Sequence, residues 1–185
     1  MALCQCEIPL CDLLRPQQPT MMRFLKALMK VGPRQLIRLF SLVLRHPFMV
    51  WPTVKATYTC LRAADHYFGK EHHSNTPANA FRHAYWNYLI AHNCHSLQND
   101  LKKVLSWTKT ITDWHEDAFE NQNLAKQMDL HNNAVGRDIF CNLPATDTES
   151  ALDHLLELTS NSKKVETVDE ILQRPLSLVH LIDIA

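Results

Sequence analysis

The sequence predicts an all-α fold: a single compact domain of six to eight helices with a polar cluster between its core helices. The first observation is that the 185 residues include only three glycines. β-Hairpins, dinucleotide-binding turns and phosphate-binding loops all depend on glycine. The second observation is that apolar residues recur at helical spacing along most of the chain. An apolar content of 46% and a charged content of 21% are typical of a globular chain with one core.

The first third of the chain is predicted to be a tail followed by basic helices. Residues 1–20 have no periodicity and contain several prolines, so we expect a loose tail. We expect Pro47 and Pro52 to break the chain. Residues 21–63 then form a basic amphipathic helical segment. Its helices are predicted over Met22–Val31, Arg34–Arg45 and Val54–Tyr67.

Residues 64–143 are predicted to form a helical core, and residues 144–185 a C-terminal helical extension. In the extension, Thr146 and Glu149 have the spacing of a capping box that begins a helix. The apolar tail at 176–184 fits either a helix or a strand. The helices predicted in the core are Ala78–His92, Leu97–Leu105, Ile111–Gln127 and Asp129–Phe140.

Charge is unevenly distributed, although the formal net charge is zero. Between Leu13 and Ala64 there is no Asp or Glu, and there are nine Lys or Arg. In one interpretation, the apolar faces of these helices pack onto the domain. In another, they bind an anionic membrane surface. Organelle targeting is a third interpretation. Nucleic acid is not an expected partner, because few aromatic residues interleave with the basic ones.

The targeting and cysteine patterns indicate a location. No stretch reaches the roughly 18 uncharged apolar residues of a membrane span, and no secretory signal is found. We therefore expect a protein of the cytoplasm or of the inner membrane surface.

The six cysteines form no disulfide framework, so a reducing compartment is expected. Cys4, Cys6 and Cys11 either bind a metal or belong to a dispensable N-terminal extension.

Three polar segments carry the chemistry that the sequence offers. They are N-A-F-R-H-A-Y-W-N at 79–87, W-H-E-D at 114–117 and M-D-L-H-N-N-A-V-G-R at 128–137. Each places His, Asn, Arg or a carboxylate beside large apolar residues. Such groups cost free energy when they are buried without partners. The repeated pattern therefore predicts a polar site inside the helical core.

His83, His115 and Asp129 form a ligand set that a divalent metal, zinc or manganese, would accept. The candidate catalytic residues are Glu116, as general base, and His131. The leading hypothesis is a metal-dependent hydrolase of an anionic phosphoester or a phospholipid-like head group, because arginine forks suit phosphate oxygens. The candidate substrate-binding residues are Asn79, Arg82, Trp86, Asn132, Asn133 and Arg137.

The same residues also have a structural interpretation. A histidine such as His83 is often a core residue bonded to a neighbouring helix, and 114–117 could be an exposed acidic turn. An Asp129–Arg137 pair could be a surface ion pair of small value. The alternative function is then a non-enzymatic helical module with a His/Asn/Arg hydrogen-bond network. It would bind a membrane surface or a protein partner through its basic N-terminal helices.

The three segments resemble an uncharacterised bacterial domain family with the signature N-A-x-R-H-A-x-W, H-E and M-D-x-H-N-N-x-x-G-R. Its members include C-terminal domains of some secreted, toxin-like proteins. The layout is also loosely similar to the HD phosphohydrolases, although the central pair here is His-Glu. The family has no established activity. The resemblance therefore implies where the site lies, but it does not imply which reaction the site catalyses. The positions it marks are Asn79, Arg82, His83, Trp86, His115, Glu116, Asp129, His131, Asn132, Asn133, Gly136 and Arg137.

Overall fold

The computed structural model describes residues 31–119, 122–143 and 148–183. The α-helices are α1 Pro33–Arg45, α2 Pro47–Phe68, α3 Pro77–His95, α4 Leu101–Ala118, α5 Asn123–Asn142, α6 Thr148–Ser160 and α7 Val168–Leu172. A 3₁₀ turn, Glu71–His73, precedes α3, and two short strands, β1 Lys163–Lys164 and β2 Val179–His180, pair in parallel. The prediction of a single all-α domain is confirmed, with seven helices in these residues.

Helix α3 is the centre of the domain, because it contacts α2, α4, α5, α6 and the 3₁₀ turn. Small residues explain this position: Ala80, Ala84 and Ala91 are fully buried and let neighbouring helices approach closely. Helix α5 comes very close to α3 at Gly136, where an added Cβ would lie 2.0 Å from the carbonyl oxygen of Ala84. Only glycine fits there, and the polar residues on both sides of this contact are brought together.

The predicted break at Pro47 is confirmed, because α1 ends at Arg45 and α2 begins at Pro47, whereas the predicted break at Pro52 is wrong. Pro47 begins the helix, where its missing N–H has no partner to lose, and Pro52 lies inside it. Pro52 is only a turn and a half from the start, and the hydroxyl of Thr53 donates to the carbonyl of Met49 (2.8 Å). The predicted boundary between residues 63 and 64 falls within this helix.

Helices α4 and α5 also have bounds that the sequence did not predict. Helix α5 begins at Asn123, before the predicted start at Asp129. Helix α4 is one helix that begins after Asp100, whose carboxylate accepts from the backbone N–H of Lys103 (3.1 Å). It runs through the predicted gap at 106–110 because Trp107 and Thr108 are buried there. The helix ends at Ala118, several residues before the predicted end at Gln127.

The C-terminal residues pack against α5 through a second small core. It consists of Met128, Val165, Ile171 and Val179. The apolar tail contributes β2, so of the two predicted alternatives it forms a short strand. The predicted helix at Met22–Val31, the tail at 1–20 and the capping residue Thr146 lie outside the described residues.

Helix α1 covers the domain only partly. None of its residues is fully buried, although Leu39 and Leu42 pack against the main core. Leu36, Ile37 and Phe40 are exposed. The interpretation in which Leu36, Ile37, Phe40 and Val43 pack onto the domain is therefore wrong for the first three within the part of the chain that the structure describes, whereas Val43 is half-buried. Within that part, no helix has the length and apolar character needed to cross a bilayer.

Candidate functional site

Three ionisable side chains meet at the junction of α3, α4 and α5. The exposed fractions of His83, Glu116 and Asp129 are 3%, 6% and 4%. The Nδ1 atom of His83 lies 3.4 Å from Glu116 Oε1, and its Nε2 atom lies 3.3 Å from Asp129 Oδ1. One ligand atom from each residue lies within 4.8 Å of the other two. This buried group, which we call the central triad, could hold a metal ion.

Two asparagines on facing helices hold the Glu116 side of the central triad. Asn133 donates through Nδ2 to Glu116 Oε1 (3.0 Å), and its Oδ1 accepts from Asn87 Nδ2 (2.6 Å). Asn87 Oδ1 in turn accepts from Arg137 Nη1 (2.8 Å) and from the hydroxyl of Thr112 (3.2 Å). Because Asn87 and Asn133 flank the contact between Ala84 and Gly136, the glycine makes this bonding possible.

Arg82 and Asn79 lie beside Asp129, on the other side of the central triad from Glu116. Arg82 Nη2 donates to His83 Nε2 (2.9 Å). A guanidinium can only donate, so this bond assigns the proton of a neutral His83 ring to Nδ1. The side-chain amide of Asn79 donates to Asp129 Oδ1 (3.0 Å) and accepts from Arg82 Nη2 (3.0 Å). Arg82 is half-buried, so it connects the central triad with the surface.

The electrostatics of Glu116 favour a charged carboxylate. Burial raises the pKa of Glu116, but the hydrogen bond from His83, the electrostatic interaction with the nearby rings of His83 and His115, and the amide of Asn133 lower it to about 2. A carboxylate with so low a pKa accepts a proton poorly at neutral pH. It is better suited to binding a cation than to the predicted role of general base.

His115 lies outside the central triad, where Glu116 takes the place predicted for it. Its half-buried ring packs against Trp86 and Phe119, with centroid distances of 5.1 and 4.8 Å. Burial lowers the pKa of His115 to about 4, although the carboxylate of Glu116 opposes this shift. Adjacent helical residues diverge by about 100°. Sequence spacing therefore could not decide which of the two points inward.

The other predicted residues divide between the site and the scaffold. Asn132 holds the C-terminal segment, since its amide donates to the carbonyl of Val179 (2.9 Å) and accepts from its N–H (3.0 Å). His131 Nε2 bonds the carbonyl of Ser177 (2.8 Å) on the same side. Trp86 donates through Nε1 to the hydroxyl of Thr57 (2.8 Å). Asn79, Arg82, Asn133 and Arg137 belong to the network around the central triad.

Sequence reasoning missed Thr112. Its hydroxyl bonds Asn87, yet a lone threonine in a helix has no pattern that marks it. Asn87 was visible through its spacing of four from His83, which places both on one face.

A second group of possible ligands lies at the surface. Asp65, His72 and His73 also bring ligand atoms within 4.8 Å of one another. His72 is buried and its Nε2 bonds Asp65 Oδ1 (3.0 Å), whereas Asp65 and His73 are exposed. Any metal measurement on this protein must distinguish the two groups.

A surface groove of about 390 Å³ lies between α1, α4 and α5. Arg137 lines this groove and also bonds Asn87, so it links the groove to the amides around Glu116. Arg38 lies on the α1 side and pairs with Asp117 (2.8 Å). The groove is lined by Arg38, Lys109, Asp113, Asp117, Leu130, Ala134 and Arg137, and by no member of the central triad.

Comparison with known proteins gives one match. A family model described as a domain of unknown function, DUF6973, matches residues 40–163, which is more than half of the chain and includes all three polar segments. Searches of curated proteins and of solved structures each gave no match. Membership of an uncharacterised family is confirmed, whereas the bacterial origin and the motif signature stay predictions. The chain belongs to the DUF6973 family, whose function is unknown.

Proposed function

We propose that the protein is a metal-dependent hydrolase of an anionic substrate, with the ion held by His83, Glu116 and Asp129. The observation that carries the proposal is the convergence of these buried side chains from three helices, with ligand atoms within 4.8 Å of one another. Burying two carboxylates costs several kcal/mol, and apolar packing in their place is often as stable or more so. Departures of this kind from ordinary core composition are expected at functional sites.

The donor set supports a divalent transition metal such as zinc or manganese. It combines one imidazole with two carboxylates. Asn133 bonds the carboxylate of Glu116 and Asn79 bonds that of Asp129, as outer residues commonly do around metal ligands. When bound, a divalent ion would polarise a phosphoester and lower the pKa of a water molecule.

Arg82 is the residue best suited to meet the substrate. In phosphoester hydrolysis, a water oxygen bonds to phosphorus, the ester P–O bond breaks, and the leaving oxygen takes up the proton that the water gives up. Negative charge grows on the remaining phosphate oxygens, where a guanidinium stabilises it. Arg82 is half-buried and already bonds His83, so its remaining N–H groups are near the central triad.

Metal content tests the proposal. The tag-free full chain is analysed by mass spectrometry beside His83→Ala and a control, Asp65→Ala/His73→Ala, which removes only the surface group. We expect about one equivalent of a transition metal in the parent and the control, and none in His83→Ala. A parent that stays free of metal after incubation with excess ions would refute the metal mechanism.

Hydrolysis of p-nitrophenyl phosphate and bis(p-nitrophenyl) phosphate tests the substrate class. Activity should be lost with a chelator and return with the metal. Arg82→Ala should lower kcat/KM by about 100-fold. Arg34→Ala, which removes an exposed arginine of α1, should leave it unchanged. Equal losses in the two variants would contradict the role of Arg82.

One observation favours the non-enzymatic alternative. The buried side-chain atoms without a partner in the described residues belong to Gln35, His72, Tyr85 and His95, and none to the central triad. A satisfied, enclosed network could serve only to fix helix packing. In that case His83→Ala would lower Tm, and neither the parent nor the variant would bind metal at the central triad.

A further inference from the structure

The outer face of α1 and the start of α2 carry a concentration of exposed apolar side chains. Of the twelve exposed large hydrophobic residues in the described ranges, six lie in this short stretch. We call them the apolar stripe: Leu36, Ile37, Phe40, Leu44, Phe48 and Trp51. Phe48 is 86% exposed, Ile37 72% and Trp51 71%. A concentration of exposed apolar side chains of this kind often marks a binding surface.

The rest of α1 is anchored, so the orientation of the stripe is fixed. Trp114 donates through Nε1 to the carbonyl of Gln35 (3.0 Å), and Arg38 pairs with Asp117 (2.8 Å). Leu39 and Leu42 pack against the core from the inner side. The four stripe residues of α1 therefore lie on a helix that is held in place by its other face.

The charges around the stripe identify its partner. There is no Asp or Glu between Leu13 and Ala64. Arg34, Arg45 and Lys55 are exposed, and none of them forms a salt bridge with a described residue. Apolar and aromatic side chains flanked by arginine and lysine suit the boundary between head groups and acyl chains of an anionic bilayer.

We propose that the apolar stripe docks the protein on an anionic lipid surface, with Phe40, Phe48 and Trp51 entering the interface and Arg34 and Arg45 facing the lipid phosphates. This binding is independent of the proposed hydrolase activity, because it needs no residue of the central triad. It concerns attachment at a bilayer surface, not a span.

Vesicle flotation with the full chain tests the proposal. Vesicles of phosphatidylcholine alone are compared with vesicles that also contain phosphatidylglycerol. The parent should bind the anionic vesicles, and Phe40→Ser/Phe48→Ser should weaken this binding by about tenfold or more. The matched control, Leu172→Ser/Leu176→Ser, removes two leucines of comparable exposure near the C-terminal end and should bind like the parent. His83→Ala should also bind like the parent, which separates this test from that of the hydrolase.

Charge and insertion have separate readouts. Arg34→Ala/Arg45→Ala should weaken binding to the anionic vesicles by about fivefold for each charge removed, and added salt should act in the same direction. Trp51 emission should shift to the blue on binding, and Trp51→Phe should remove the shift.

Three results would overturn the proposal. The first is a parent that binds neither type of vesicle, with Trp51 already protected from an aqueous quencher, since the stripe would then be covered within the chain. The second is a dimer in light scattering that Phe40→Ser/Phe48→Ser dissociates, without vesicle binding, which would assign the stripe to a second copy. The third is an equal loss of binding in the Leu172→Ser/Leu176→Ser control.

Discussion

The junction of α3, α4 and α5 and the outer face of α1 and α2 depart from ordinary patterning in opposite directions. The junction is polar where a helical core is usually apolar, and its side chains are paired with one another. The outer face is apolar where a surface is usually polar, and no described residue covers it. Substitutions should therefore destabilise the fold at the junction and leave stability almost unchanged at the outer face. Binding should be the property that the outer face controls.

Gly136→Ala should have the largest effect on stability. The new Cβ would meet the backbone of Ala84 at 2.0 Å, and a carbonyl oxygen cannot rotate away. Helices α3 and α5 must then separate, which would disrupt the amide network. We expect a loss of about 3 kcal/mol or more in the free energy of unfolding, measured by urea denaturation. Gly32→Ala is the control, because nothing lies within 4 Å of its added Cβ. Similar losses in the two variants would contradict the close contact.

Asn133→Ala should have the next largest effect. It removes the donor to Glu116 and the acceptor of Asn87, and it leaves both buried groups short of a partner. We expect a loss of about 3 kcal/mol in the free energy of unfolding, since each unsatisfied buried polar group costs about 1–3 kcal/mol. Asn142→Ala, an exposed asparagine on the same helix, should change stability by less than about 0.5 kcal/mol. A loss below 1 kcal/mol for Asn133→Ala would mean that water replaces the network.

Asn132→Ala should act on the C-terminal segment. Both backbone groups of Val179 would lose their partner, at a cost of about 2 kcal/mol. Hydrogen exchange should show faster exchange of the Val179 amide, while amides in the middle of α3 keep their protection. Unchanged exchange at Val179 would contradict the clamp between α5 and β2.

Phe40→Ser/Phe48→Ser should have the smallest effect on stability. Both side chains are exposed, so we expect a change of less than about 0.5 kcal/mol in the free energy of unfolding by urea denaturation. A loss above 2 kcal/mol would show that these residues are buried in the full chain. The contrast between the two regions would then disappear.

The sequence was sufficient to predict those features of the structure that helical periodicity determines. Helix α3 lies within three residues of its predicted bounds, and the spacing of four predicts that Asn79, His83 and Asn87 share one face. The structure adds that this face meets α5. The scarcity of glycine and the regular apolar spacing were enough for the fold class, because hairpin turns often need glycine and this chain has only three.

Sequence reasoning was insufficient where tertiary contacts decide. Periodicity could not choose between His115 and Glu116, because the rotation of α4 against its neighbours determines which side chain enters the junction. The break predicted at Pro52 did not occur, since packing of the rest of α2 outweighs one missing hydrogen bond. The sequence also could not predict which apolar face of α1 packs on the core, because Leu39 and Leu42 are as apolar as Ile37 and Phe40.

The most direct test of the central claim is a calorimetric titration of zinc or manganese into the chelator-treated full chain and into Glu116→Gln. The substituted amide keeps an oxygen that can accept from Asn133, so the metal-free variant should stay within about 1 kcal/mol of the parent. We predict one site in the parent that survives Asp65→Ala/His73→Ala and weakens at least about tenfold in Glu116→Gln. Titration curves that are flat, or identical for the parent and Glu116→Gln, would contradict a metal centre at the junction of α3, α4 and α5.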